Sequence, residues 1–157
     1  MLIRPATPDD VLSIRALEQQ ADTAAHWAER EYDALFDADA PTRIALVAVD
    51  DATLAQPRGF IIARCAVGDW EIENVVVAGE HQRQGIATKL IQELLRRAHT
   101  GGATSVLLEV RESNLAARGL YEKLGFNQQG IRSNYYRNPP EDGLLLQISI
   151  KSGEKVP

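Results

Sequence analysis

The chain has 157 residues, 45% of them hydrophobic and 25% charged, and its formal net charge is −5. These values fit one soluble globular domain covering residues 1–157. The acidic balance argues against a nucleic-acid partner, because proteins that bind nucleic acids are normally basic. A single cysteine, Cys65, excludes an intramolecular disulfide.

The sequence predicts neither a metal site nor a membrane segment. The three histidines are scattered without the spacing of metal ligands. No apolar run approaches the length of a membrane helix, and the N-terminal residues lack the apolar core of a signal peptide. We therefore expect a cytoplasmic protein with no membrane partner, present as a monomer or a weak homodimer.

The chain begins with a predicted edge strand at 2–6. A helix is expected next, because Thr7, Pro8 and Asp10 have the spacing of a capping box with proline at the first helical position. A second short helix is predicted at 29–37. Its inner side is expected to carry Tyr32, Leu35 and Phe36.

Strands and helices are then predicted in alternation. Apolar residues at every fourth position predict an amphipathic helix at 84–99, and Ser113 is a candidate cap for a later helix at 114–124. The predicted strands lie at 44–49, 59–65, 70–77, 104–111, 126–136 and 144–150. This order predicts an α+β fold in which a mostly antiparallel sheet contains one βαβα segment.

The run from Gln82 to Ala87 joins an apolar strand to the helix at 84–99. Such a junction presents unpaired backbone N–H groups at a helix start, where a phosphate can bind. Gly85 allows close approach of an anion, and Arg83 adds a positive charge. On its own the pattern fits a phosphate-binding turn and a plain tight turn equally well.

Glu109 lies inside an apolar strand, where alternation places it on one face with Leu107 and Arg111. A carboxylate in such a place needs a partner. It is either an ion-pair partner of a nearby arginine or a general base.

Asn114 lies at the start of the next helix, where its amide can bind a ligand or cap the chain. Tyr121 lies two helical turns further along the same face. It is either a packed core tyrosine or an acid for a leaving group.

Together these segments resemble the GNAT superfamily of N-acetyltransferases, and more narrowly the RimI type of protein N-terminal acetyltransferase. The matching runs are EIENVVV (71–77), QRQGIA (82–87), LEVRESN (108–114), LYEKLGF (120–126) and RSNYY (132–136). The resemblance implies a mixed, mostly antiparallel sheet of about seven strands with about four helices. It also implies a V-shaped gap between the two central parallel strands.

The resemblance further implies acetyl-CoA as cosubstrate, with Glu109 as general base and Tyr121 as general acid. It implies that the cofactor's pyrophosphate binds the turn and that its pantetheine arm pairs with the preceding strand. The cofactor-binding residues would be Val75, Val76, Val77, Arg83, Gln84, Gly85, Ile86, Ala87, Thr88 and Asn114. Candidate acceptor contacts are Trp27, Asn74, Tyr135 and Tyr136. The alternative for each of them is a packing role in the core or at its rim.

The implied acceptor is a protein N-terminus, such as the N-terminal alanine of a small-subunit ribosomal protein. Acetylation of a small amine or a free amino acid, and a non-catalytic acetyl-CoA-binding module, are the alternatives. Three residues depart from the RimI pattern, namely His26 in place of the proline before Trp27, Arg118 in place of an apolar residue and Gly119 inside a helix. Gly119 costs the helix about 1 kcal/mol relative to alanine.

Overall fold

The computed structural model describes residues 1–22, 24–39, 42–51 and 56–150. The strands are β1 Leu2–Pro5, β2 Arg43–Val49, β3 Pro57–Cys65, β4 Asp69–Val77, β5 Ser105–Arg111, β6 Asn127–Tyr136 and β7 Glu141–Ser149. The α-helices are α1 Val11–Gln19, α2 Glu29–Asp33, α3 Ile86–Thr100 and α4 Leu115–Lys123. Within the described ranges, none of these helices is both long and apolar enough to cross a bilayer.

The strands form one sheet in the order β1-β2-β3-β4-β5-β7-β6, and only β4 and β5 are parallel neighbours. Their pairing stops at Ile72 and Leu108. The next residue of β4, Glu73, has no partner on β3. This extra residue forms a β-bulge, which bends β4. The last part of β4 therefore separates from β5, and the predicted mixed sheet with its V-shaped gap is confirmed.

The two faces of the sheet carry separate cores. On one face α3 buries the predicted stripe of Ile86, Leu90, Leu94 and Ala98, each at most 1% exposed. Burying one such leucine contributes about 1.5–3 kcal/mol relative to leaving it exposed. On the other face α1 and α2 pack against β2, β3 and β4 around Ile14 and Tyr32. This second core ends at β4, so β5, β7 and β6 have no helix packed on that face in the described core.

Two local predictions are wrong. Phe36 is 39% exposed, because α2 ends at Asp33 and a short 3₁₀ turn, Ala34–Phe36, turns this ring outward. The helix at 115–123 is capped by Asn114, whose Oδ1 accepts a hydrogen bond from the Ala117 N–H at 3.2 Å. Asparagine is among the strongest capping residues. The predicted cap, Ser113, instead donates its backbone N–H to Glu141 at 2.6 Å.

Candidate active site

The turn before α3 is shaped by left-handed backbone conformations. Gly85 is the N-cap with φ 78°, and Arg83 has φ 60°. Glycine adopts such a φ without a steric cost, so the backbone favours glycine at position 85, whereas Arg83 holds its φ at a cost. The first helical bond of α3 runs from the Lys89 N–H to the Gly85 carbonyl at 3.1 Å. The N–H groups of residues 86–88 consequently have no partner within the helix and remain available to an anion.

Two glutamines fix the turn to its surroundings. Gln82 Nε2 donates to the carbonyl of Val77 at 3.4 Å, and Gln84 Nε2 donates to the carbonyl of Glu80 at 3.3 Å. The side chain of Arg83 is exposed and makes no ion pair with any described residue. The turn therefore combines a fixed backbone with one free positive charge.

A cleft of about 570 Å³ separates this turn from α4. Its lining includes Val77, Arg83, Thr88, Leu115, Gly119 and Lys123. A Cβ built on Gly119 would meet no atom within 4 Å. The glycine that departs from the RimI pattern thus opens directly onto the cleft, and the neighbouring Lys123 adds a cation to its wall.

The end of β4 forms the floor of the gap. Val75 and Val77 pair with Ile61 and Gly59 of β3 on one side. On the other side, the pairing with β5 has already ended at Ile72. Apart from the Val77 carbonyl, which accepts the bond from Gln82, the backbone of 75–77 therefore presents an open strand edge, to which an extended ligand can add as a further strand.

Glu109 lies on β5 beside the gap, and its side chain is 15% exposed. Its Oε1 accepts a hydrogen bond from Arg132 Nη1 at 2.6 Å. Its Oε2 is buried and has no hydrogen-bond donor among the described residues. The carboxylate is therefore an ion-pair partner through one oxygen and is unsatisfied at the other, so it combines features of both interpretations of the sequence.

Tyr121 is 8% exposed and meets Phe126 edge-on, with ring centroids 5.6 Å apart. Burial, and then the neighbouring Tyr136, raise the pKa of Tyr121 to about 12. Its hydroxyl makes no hydrogen bond to the described part of the chain. The ring is packed, but the hydroxyl keeps its proton and is free to donate it.

Tyr135 and Tyr136 of β6 reach towards Glu109 across β7. Their rings meet edge-on at 5.0 Å. Burial, and then Glu109, raise the pKa of both tyrosines, that of Tyr136 to about 12. They cross β7 at Gly143, where a Cβ would lie 3.1 Å from Tyr135 Cδ1 and 3.3 Å from Tyr136 Cε2. Sequence reasoning missed Gly143, although a glycine inside a strand signals such a close approach.

Trp27 and Asn74 lie at the edge of the second core. Trp27 packs on Tyr32 with ring centroids 5.4 Å apart. Asn74 is 5% exposed, and its Nδ2 donates to Glu18 Oε1 at 3.3 Å and to the carbonyl of Ala25 at 3.2 Å. Glu18, which sequence reasoning also missed, additionally accepts the Trp27 backbone N–H at 2.8 Å. A buried carboxylate thus ties α1, the loop before α2 and β4 together.

A second departure from the RimI pattern, Arg118, has a structural explanation. Arg118 Nη1 donates to the carbonyl of Glu112 at 2.7 Å and so ties α4 to the loop before it. Within the described ranges, no three His, Cys, Asp or Glu side chains are grouped as metal ligands would be.

The sequence profile of the Acetyltransferase (GNAT) family matches residues 11–126. The chain is also 40% identical over 93 residues to the [ribosomal protein bS18]-alanine N-acetyltransferase of Escherichia coli K12. It is 39% identical over 94 residues to the enzyme of that name in Haemophilus ducreyi. The first match covers 58% of this chain and 63% of the E. coli enzyme, and the second 58% and 65%. The chain thus matches less than two thirds of each relative's length.

The fold is similar to the crystal structure of the ribosomal-protein-S18-alanine N-acetyltransferase from Escherichia coli. The TM-score is 0.84 at 27% identity, with 98% of this chain and 96% of that one covered. The structural likeness therefore extends well beyond the region of sequence similarity.

Proposed function

Because the chain belongs to the GNAT family of acetyltransferases, we propose that it transfers an acetyl group from acetyl-CoA to the N-terminal α-amine of a protein. The observation that carries this proposal is the half-satisfied carboxylate of Glu109 on β5. The buried phenol of Tyr121 supports it, because Tyr136 lies near both Tyr121 and Glu109. The acceptor we favour is the N-terminal alanine of a small-subunit ribosomal protein, since two relatives are named for that activity.

The cleft fits a coenzyme A donor. The free N–H groups at the start of α3 suit a pyrophosphate, and Arg83 and Lys123 add positive charge to the walls. The open backbone edge at 75–77 suits the amides of a pantetheine arm. Asn114 uses its side-chain oxygen to cap α4, so a contact with the cofactor would come from its amide NH₂.

Glu109 would act as the general base. An α-amine has a pKa near 8 and is mostly protonated at neutral pH. Its proton must be removed before nitrogen attacks a carbonyl, and Oε2 of Glu109 is an enclosed acceptor that lacks a protein donor. Acetyl-CoA supplies the thioester carbonyl at which the new C–N bond forms as the C–S bond breaks.

Tyr121 would act as the general acid. Its pKa of about 12 keeps the phenol protonated at neutral pH, so a proton is available for the departing thiolate. Free backbone N–H groups near Val77 would stabilise negative charge on the carbonyl oxygen. Holding the amine against the thioester supplies a further part of the acceleration.

Acceptor selection would lie on the opposite side of the gap. Tyr135 is 47% exposed and Tyr136 is half-buried beside Glu109. Trp27 and Asn74 would contribute from the far wall through the loop that Glu18 anchors. We propose that these four side chains line the entry of the peptide N-terminus.

Thiol release from acetyl-CoA tests the proposal, with alanine-leading peptides, free amino acids and polyamines assayed side by side. We expect release with the peptides, and mass spectrometry should place the acetyl group on the α-amine. The same peptide with a blocked N-terminus is the matched control. Release only with amino acids or polyamines would identify a small-amine acetyltransferase instead. Tight cofactor binding without release would identify a binding module.

A further inference from the structure

Three glutamates around the fork of β4 and β5 each pair with an arginine from another strand. The pairs are Arg43–Glu73, Arg64–Glu71 and Arg132–Glu109. They differ in the number of contacts and in exposure. Arg64 makes a single contact with Glu71, whose side chain is 39% exposed to solvent. Glu109 differs from both other glutamates because its second oxygen is buried without a donor among the described residues.

The pair between Arg43 and Glu73 is closed. Arg43 donates through Nε at 2.6 Å and through Nη2 at 3.0 Å, so both carboxylate oxygens are bonded. The two side chains are 15% and 19% exposed, and the guanidinium lies 5.1 Å from the ring centre of Trp27. A half-buried fork-to-fork pair of this kind is rigid, and a ligand would have to break two bonds to replace the arginine.

The pair between Arg132 and Glu109 is open. Arg132 makes a single bond to Oε1 at 2.6 Å, its side chain is 56% exposed, and Oε2 has no donor within the described residues. The guanidinium rests 4.6 Å from the ring centre of Tyr135, which is itself 47% exposed. The arginine is therefore attached to a half-buried carboxylate from the solvent side by one contact.

We propose that Arg132 is an exchangeable counter-ion for Glu109, displaced when the ammonium group of the acceptor arrives. A buried carboxylate needs a cation, and an ammonium supplies one positive charge and three donors. Two cations at one carboxylate repel each other, so the arriving group competes with Arg132. This inference rests on the proposed function, because it assumes that the acceptor's amine docks at Glu109.

The consequence is selectivity. Arg132 lowers the affinity of every cationic acceptor, and only an acceptor that gains further contacts along the entry overcomes this competition. Other charged and titratable groups near the pair are Glu71, Tyr135 and Tyr136, together with Arg111 on the same strand as Glu109. Tyr135 comes nearest to such a bond, because its hydroxyl interacts with Glu109, yet Oε2 of Glu109 has no hydrogen-bond donor within the described part of the chain.

The test measures binding of an alanine-leading peptide to the CoA-loaded protein by isothermal titration calorimetry. In Arg132→Gln the dissociation constant should fall by about threefold to tenfold, because the competing charge is gone. The same peptide with an acetylated N-terminus should bind wild type and variant equally. Arg132→Lys should behave as wild type. Arg64→Gln removes the same charge from a neighbouring pair and should leave the dissociation constant within about twofold.

A lower dissociation constant that is found only for the peptide with a free amine, and only in Arg132→Gln, supports the exchange. Equal constants for wild type and Arg132→Gln, or an equal change for the acetylated peptide, would overturn it while leaving the proposed function intact. Absence of binding by every free-amine peptide, in wild type and variants alike, would overturn both.

Discussion

The two sides of the gap are built differently. The side proposed for the cofactor, here the cofactor side, is made of backbone: a left-handed glycine, three helix-start N–H groups and an open strand edge, all within residues 75–88. The side proposed for the acceptor, here the acceptor side, is made of side chains from distant segments, with Glu109 on β5 and Arg132, Tyr135 and Tyr136 on β6. Backbone contacts suit a donor that is always the same molecule, whereas side-chain contacts can be changed to suit different acceptors.

The largest effect is expected at Glu109, on the acceptor side. Glu109→Gln keeps the shape but removes the base, and turnover at pH 7 should fall by about 10²–10⁴-fold. Raising the pH above the α-amine pKa of about 8 should restore part of the rate, because the amine then loses its proton to solvent. The dissociation constant for CoA, measured by calorimetry, should stay within about twofold of wild type.

An unchanged rate in Glu109→Gln would remove Glu109 from the chemistry and leave it as an ion-pair partner of Arg132. A parallel loss of CoA affinity would mean that the two sides of the gap are not independent. Either result would break the contrast between them.

The next effect is expected at Tyr121 on α4, the proposed general acid. Tyr121→Phe should slow turnover by about 10–10²-fold, with CoA affinity unchanged, because only a proton donor is lost. The pKa of Tyr121 is about 12, so the tyrosine stays protonated throughout an assay between pH 7 and 9. The ratio of wild-type to variant rates should therefore be constant across that range. A ratio that changes with pH would assign the proton to another group.

A smaller effect, on the cofactor side, is expected at Gly119. Gly119→Ala should raise the free energy of unfolding of the unliganded protein by about 0.5–1 kcal/mol, because alanine favours the helix and its Cβ meets nothing within 4 Å. The added methyl group enters the cleft, so CoA affinity should fall by about threefold to tenfold. Urea unfolding and calorimetry check the two values. Greater stability with unchanged affinity would show that Gly119 makes no room for the cofactor.

The sequence predicted the strand–turn–helix unit of the proposed cofactor side well, because the determinants of this unit are local. One strand–turn–helix unit contains Gly85 and the apolar stripe of Ile86, Leu90, Leu94 and Ala98. Within such a unit, the spacing of residues along the chain directly determines which of them share a face. The family resemblance then supplied the sheet and the candidate acid and base. The roles of the individual site residues stay predictions until the variants are measured.

The acceptor side was harder to predict because its contacts cross the sheet. Arg132 reaches Glu109 over 23 positions of sequence and over an intervening strand, β7. No spacing rule connects these residues, because the contact depends on where the last hairpin joins the sheet. The role of Gly143 in admitting the two tyrosines likewise appears only once β6 is placed beside β7.

The smallest effect is expected far from the gap, at Glu93 on α3, and it provides the reference for the others. Arg96 and then Arg97 lower the pKa of Glu93 to about 2, against the opposing effect of burial. Because the pKa of Glu93 is lowered, its ionised carboxylate stabilises the fold at pH values above the ordinary pKa of 4.5. This stabilisation is lost as the pH falls towards 2. Glu93→Gln should therefore lower the free energy of unfolding by about 0.5 kcal/mol at pH 7, and by progressively less below pH 4. Urea unfolding at pH 7 and at a pH below 4 measures the two free energies. An equal loss at low pH would show that Glu93 stabilises the fold by packing and not by its charge. Turnover and CoA affinity should match wild type, since Glu93 touches neither side of the gap.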